Sequence, residues 1–384
     1  MILKLARRLL RTRQPSGPSF FFERPLVILQ SDDWGRVGVR DKEGYEQLRA
    51  SGVGLGKHVY DFYTLESADD LHALTSVFQR HHDSTGRSPC LVMNFVVSNL
   101  DFPRIVAGDF REIHLLPLAK GLPGDWTRPG LFEAYRHGIG AGVFYPALHG
   151  ITHFCRPAAE HALAAGGEHG NLLRTMWQAQ TPYIFWRMPW IGYEFHNPGK
   201  PEKGFLDPET QHNLARLAVE ALARLFRVFP VSACAPGYRS NGTTHEAWSK
   251  WGIRVAQNGS GAPMPAWMDE LGLLHLHRTI DIEPAQRDLP VAKYVQLAEN
   301  CFARGLPAVV SMHSINFHSS LRNFREPTLQ ALDQFFSALE SRFPKLLYLH
   351  DGDMYKLVTQ GRFDAGQGTV SVTVRQQHAK VRNS

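Results

Sequence analysis

Short apolar runs, each stopping at a cluster of polar residues and separated by helical periods, constrain this chain more than any other feature. Leu26-Val-Ile-Leu-Gln30 runs into Ser31-Asp32-Asp33-Trp34-Gly35, and residues 90–97, 142–148, 231–235, 253–257, 273–277, 308–312 and 346–349 are further runs of this kind. Runs this short read as buried strands. The segments 68–82, 157–180, 208–228, 243–251, 290–304 and 326–342 read as helices. The alternation predicts a parallel sheet with helices outside it, either a barrel or a doubly wound sheet. Stretches 98–135 and 181–207, rich in Pro, Gly, Trp and Tyr, read as long loops that shape a cleft. No internal repeat is present.

Composition enters as a set of exclusions. With 43% hydrophobic and 20% charged residues among 384, the chain falls in the globular range. A formal charge of +6 is mild at this length, so no nucleic-acid partner is expected. Cys90, Cys155, Cys234 and Cys301 form no CxxC pair and read as buried thiols of a reducing compartment. No apolar run approaches the ~18 residues of a membrane helix. The stretch Met1–Arg11 lacks the central region of a secretory signal. A cytoplasmic location is the expectation. Ile2, Leu5 and Leu9 share one helical face, with Lys4, Arg7, Arg8 and Arg11 largely opposite. This pattern suits peripheral contact with an anionic membrane, a helix docked on the domain, or a frayed end. The expected organisation is a basic segment and linker over 1–24, an α/β domain over 25–358, and a polar basic tail over 359–384 that reads as an edge strand plus disorder.

Ligands in α/β folds gather at the C-terminal ends of strands, so residues just past each run are the candidates. Asp32 and Asp33 follow the first run, and adjacent carboxylates there can divide into a cation ligand and a free base, or simply cap a turn. His149-Gly-Ile-Thr-His153 follows the run 142–148; two imidazoles plus one carboxylate make a three-ligand site with a position open to water. His313 ends Val309-Val-Ser-Met-His313 and suits a general acid, a role for which His318 competes. Tyr238 and Arg239 sit in the turn Ala235-Pro-Gly-Tyr-Arg-Ser-Asn-Gly242. Convergence of four polar clusters on one barrel face points to a site, where each alone is ordinary.

Taken in chain order, these clusters resemble the motifs of the polysaccharide deacetylase family, carbohydrate esterase family 4, whose domain is shared with the nodulation chitooligosaccharide deacetylases. Ser31-Asp32-Asp33-Trp34-Gly35 resembles its Thr-Phe-Asp-Asp-Gly motif with one Trp inserted, and His149-Gly-Ile-Thr-His153 its His-Ser/Thr-x-x-His motif with Gly for the hydroxyl residue. Ala233-Cys-Ala-Pro-Gly-Tyr238 resembles the Arg-Pro-Pro-Tyr-like turn and Ser311-Met-His313 the late Leu-x-His. The resemblance spans roughly residues 26–350. It implies a distorted (β/α)7 barrel with long strand-end loops and an insertion around 55–140.

It also implies roles: Asp32 as general base, Asp33, His149 and His153 as ligands of one divalent ion, His313 as general acid, and Tyr238 as oxyanion stabiliser. Zinc suits that ligand set best, with cobalt, manganese and iron also compatible. Cys234 stands where the family has the arginine that steadies the base, which makes Arg239 the nearest substitute. The fourth motif, Asp-x-x-Asp-Trp, which orients the acid, is absent; Asn258 and Asp281 are the nearest stand-ins. The implied activity is metal-dependent removal of an acetyl or other acyl group from an amino sugar, a cytosolic precursor in polysaccharide or glycolipid synthesis. A non-catalytic carbohydrate-binding or scaffold protein on the same barrel, and an amidohydrolase acting on a non-sugar amide, are the alternatives. Trp126, Trp186, Trp190 and Tyr193 are candidates for stacking on sugar rings, and Glu194 and His196 for additional site residues.

Overall fold

The computed structural model describes residues 16–199, 204–259, 263–287, 289–366 and 368–378. The basic helix read over the first residues lies outside them. In chain order the strands begin with Ser19–Phe22 (β1), Leu26–Trp34 (β2) and Leu91–Phe95 (β3). A small hairpin follows, Ser98–Leu100 (β4) with Leu115–Pro117 (β5), then Phe144–Leu148 (β6), Ser232–Cys234 (β7) and Val255–Asn258 (β8). Ala266–Met268 (β9), Leu274–His277 (β10), Ile280–Asp281 (β11), Ala308–His313 (β12) and Leu347–Leu349 (β13) complete the central part. Arg362–Asp364 (β14), Thr369–Ser371 (β15) and Val374–Gln377 (β16) end the chain.

The fold is a curled α/β sheet in the order β11-β12-β2-β3-β6-β7-β8-β10-β9-β1-β16, with β13 added beside β2. From β11 to β10 every neighbouring pair is parallel; β9, β1 and β16 continue it antiparallel. All nine residues of β2 are buried, as a central parallel strand requires. Successive side chains of a strand point to opposite faces. Val27 and Leu29 accordingly join the main apolar core with residues of the outer helices such as Leu332 and Phe336. Leu26 and Ile28 join a second core with Leu276, Leu349 and Met354. Farther along that second face come Gln30 and Asp32, so the sheet's concave interior turns from apolar to polar toward the strand ends.

Two details differ from the sequence reading. Residues 98–135 are not loop throughout: they hold the β4–β5 hairpin and helices Phe102–Ala107 and Leu131–Gly140. Residues 157–180 are two helices, Arg156–Ala165 and Gly167–Gln178, broken at Gly166, where φ is +67°. The tail supplies the expected edge strand, β16 pairing with β1 from Ser19 opposite Gln377 to Phe22 opposite Val374. All four cysteines are buried and free, and among the described residues no helix is long and apolar enough to cross a membrane.

Candidate active site

Four strand ends, those of β2, β6, β7 and β12, deliver polar residues to one cavity. His313, the last residue of β12, pairs in register with Asp32 near the end of β2. Phe95 of β3 pairs with Trp34 on one side and Leu148 on the other, which sets His149 one residue past β6. Register shifts between Ser31 and Trp34, a bulge that falls on the two aspartates, and Asp33 has φ +74°. Left-handed backbone in a non-glycine residue costs on the order of 1–3 kcal/mol. Here it turns two adjacent carboxylates to different partners, as bulges do beside sites.

Asp33 meets two imidazoles. Its Oδ1 lies 3.2 Å from His153 Nε2 and 3.6 Å from His149 Nε2, and is buried without a hydrogen-bond partner. His149 Nδ1 donates to the Cys234 carbonyl at 2.8 Å. A carbonyl only accepts, so Nδ1 carries the proton and Nε2 presents its lone pair. His153 Nδ1 is bonded to the Tyr183 hydroxyl. Burial pushes both imidazoles down, His153 to about 3 despite the Asp33 carboxylate beside it, so both are neutral. An orphaned carboxylate oxygen facing two neutral imidazole nitrogens, each ring anchored through its other nitrogen, fits a divalent ion of the zinc type. Burial would raise the Asp33 carboxyl, but the Arg36 guanidinium holds it well below the usual carboxylate range.

Asp32 meets an arginine that the sequence reading did not single out. Arg278, one residue past β10, grips both oxygens: Nη1 donates to Oδ2 at 2.7 Å and Nη2 to Oδ1 at 2.6 Å. Burial would raise Asp32, and Arg278 outweighs it, keeping the carboxylate ionised. Arg278 is itself fixed by Gln30 and Gln257, whose amide groups both donate to the buried Asp351. Arg239 does not reach Asp32; its charge is felt by Tyr193 and His196 on the neighbouring loop. Cys234 places its Sγ 3.8 Å from Asp32 Oδ2, filling the space beside the carboxylate that Arg278 enters from another strand.

His313 Nε2 stands 4.0 Å from Asp32 Oδ2, and its Nδ1 is 2.6 Å from Glu283 Oε1. Asn316 donates to the other oxygen of Glu283 at 2.5 Å. Burial opposes charge on His313, but Glu283 overrides it and raises the imidazole to about 9. Glu283, two residues past β11, thus orients the histidine. Asn258 instead donates to the Ala256 and Leu276 carbonyls, and Asp281 pairs with Arg287. His318 is buried against Glu66, which also accepts from the Gly35 N–H, so it braces the turn after β2 outside the cavity wall.

Tyr238 lines the cavity with φ +56°. Its N–H is already committed to the Ala235 carbonyl, and its hydroxyl accepts from Arg278 at 2.8 Å, so the hydroxyl is the group it offers. Trp186 and Tyr193 also line the cavity; Trp126 is buried with its indole N–H on the Gln180 carbonyl, and Trp190 stacks on His169 elsewhere. His196 packs on Phe205 and does not line the cavity. Glu194 lies behind the histidine loop, accepting from Ile151 N at 2.6 Å and Thr152 N at 3.1 Å. The whole encloses about 280 Å³.

Arg278 and Glu283 both stand just past strands, where the rule that found Asp32 and His149 also applies. Nothing in Leu276-His-Arg-Thr-Ile-Asp-Ile-Glu283 marks them as a pair, because their partners are 246 and 30 residues away.

The curled α/β sheet has counterparts among solved structures. Among solved structures, a proposed glycoside hydrolase/deacetylase of Parabacteroides distasonis superposes with a TM-score of 0.50 at 10% identity, over 89% of this chain and 72% of that one. A proposed polysaccharide deacetylase of Mycobacterium smegmatis gives 0.45 at 14%, over 92% and 94%. A family 4 carbohydrate esterase from Streptomyces lividans gives 0.33 at 11%, over 87% and 92%. The likeness to the Parabacteroides protein is one of fold. No protein-family profile and no curated protein matches the sequence.

Proposed function

We propose that this protein is a metal-dependent deacylase that removes an acetyl or other small acyl group from an amino sugar. The observation that carries the reading is the division of labour between adjacent aspartates: Asp33 is pooled with His149 and His153, while Asp32 is clamped by Arg278 and faces His313. Asp33, His149 and His153 would hold the ion, which supplies Lewis acidity toward an acyl carbonyl and acidifies water. Asp32, ionised and fixed on both oxygens, takes a proton from the attacking water. His313, protonated by virtue of Glu283, gives a proton to the departing amine. Tyr238 offers its hydroxyl toward developing negative charge. Tyr193 and Trp186 supply apolar faces for a sugar ring. The substrate we propose is a cytoplasmic precursor of polysaccharide or glycolipid assembly.

The test is acyl release from a panel of N-acetyl and N-formyl amino sugars by zinc-loaded protein. Asp32→Asn should abolish release and keep zinc. Release by none of the panel with zinc bound, or undiminished release by the variant, would overturn the proposal.

A further inference from the structure

Arg36 does more than the reaction above requires. It follows the Gly35 turn at the end of β2 and is 7% exposed, with its guanidinium in the cavity wall. One carboxylate contact is made, Nη2 to Asp33 Oδ2 at 3.2 Å, and it is monodentate. The Tyr63 ring lies 3.9 Å from the guanidinium carbon and the Tyr183 ring 5.4 Å. Its Nε is buried with no hydrogen-bond partner. A guanidinium presents five N–H groups in a fork, and Asp33 and the Tyr183 hydroxyl engage only part of it.

Charge in the cavity points the same way. Asp32 is matched by Arg278, and Asp33 by Arg36; Glu283 is matched by the imidazolium of His313. These three pairs cancel before any ion is present. A divalent ion on Asp33, His149 and His153 would ordinarily be half-neutralised by its carboxylate; here Arg36 already uses that charge. The excess is positive, in an aromatic-walled cavity.

We propose that Arg36 determines specificity by pairing with an acidic substituent, a carboxylate or a phosphate, on the amino sugar whose acyl group is removed. This rests on the deacylase reading of the same cavity and adds to it the charge of the substrate. A carboxylate and a phosphate both bring the opposite charge to a guanidinium in the cavity wall, and a neutral hydroxyl does not.

Calorimetric titration of zinc-loaded protein with deacylated sugars, which are not turned over, tests it. The probes are glucosamine, glucosamine 1-phosphate, glucosamine 6-phosphate, glucosaminuronic acid and inorganic phosphate, with zinc content measured alongside. At least one acidic sugar should bind wild type about tenfold or more tighter than glucosamine, the gap that one charge-assisted contact supplies. The phosphates and the uronic acid show which source of negative charge it is. Arg36→Gln should shrink the gap to about twofold or less and keep glucosamine affinity. If that variant does not fold, Arg36→Lys should fold and keep only part of the gap. Equal binding of neutral and acidic sugars by wild type, or a gap that survives in Arg36→Gln, overturns the proposal. Loss of zinc in Arg36→Gln without any acidic preference in wild type also overturns it, leaving Arg36 as a positioning residue for Asp33. If no sugar binds but inorganic phosphate binds in an Arg36-dependent way, the sugar reading fails and the anion site stands. If phosphate binding is also independent of Arg36, both fail.

Discussion

A carboxylate works as a base only if it is charged and pointed, and Asp32 gets both properties from Arg278. The fork bonds of 2.7 and 2.6 Å fix its plane, and the buried guanidinium outweighs desolvation. Arg278→Lys keeps the charge and loses the fork, so kcat should fall by about a hundredfold with zinc content unchanged. Arg278→Met strands Asp32 in the interior and should cost about 3–5 kcal/mol of stability, read by denaturant unfolding. His313 is the complementary case. Its acidic form exists below its pKa, and Glu283 raises that pKa to about 9. The rate should therefore hold through neutral pH and fall as pH rises through about 9. Glu283→Gln removes the raising charge, so the alkaline limb of kcat/KM should move down toward neutrality. An unmoved limb would assign it to another group. Neither partner was visible beforehand in the sequence, whereas Asp32 and His313 were, because a strand end marks a residue's position but not whom it faces.

At the scale of elements, the loop 149–153 shows how a family-like pattern departs and is compensated. Gly150 has φ +93°, and a Cβ there would come within 2.1 Å of Glu194 Oε2. The glycine standing in the hydroxyl position is thus what lets a carboxyl from the 181–207 loop strap the Ile151 and Thr152 N–H groups. Burial raises Glu194 to about 8, so it is mostly protonated at neutral pH. Glu194→Gln should accordingly leave zinc affinity near wild type. Gly150→Ala should lower it by about 10–100-fold, the range for disturbing the support of metal ligands; competitive zinc titration measures both. The same scale explains what was legible. Buried parallel strands announce themselves as apolar runs, so β2, β3, β6, β10 and β12 were readable. β9 and β11 are only three and two residues long. Their pairing is decided by neighbours distant in sequence, not by local pattern.

For the whole molecule, the concave interior decides how a metal would couple to folding. Its apolar floor, Leu26, Ile28, Leu276 and Leu349, is complete without an ion, and above it the Gln30–Gln257–Asp351–Arg278 network satisfies its own members. Asp33, the carboxylate most dependent on a cation, has Arg36 in reserve. The chain should therefore remain folded when chelated, unlike small zinc domains whose fold is metal binding. Yet the ligands come from two strands, β2 and β6, that flank β3, so an ion ties three neighbouring strands together at their ends. Binding to the native state alone stabilises by RT ln(1 + [L]/Kd), about 4 kcal/mol at a thousandfold excess over Kd. Calorimetry should show one folded transition in EDTA and a rise of several degrees with zinc, absent in His153→Ala. An equal rise in the variant would place the zinc elsewhere, and a chelated chain without a transition would mean that Arg36 does not substitute for the ion.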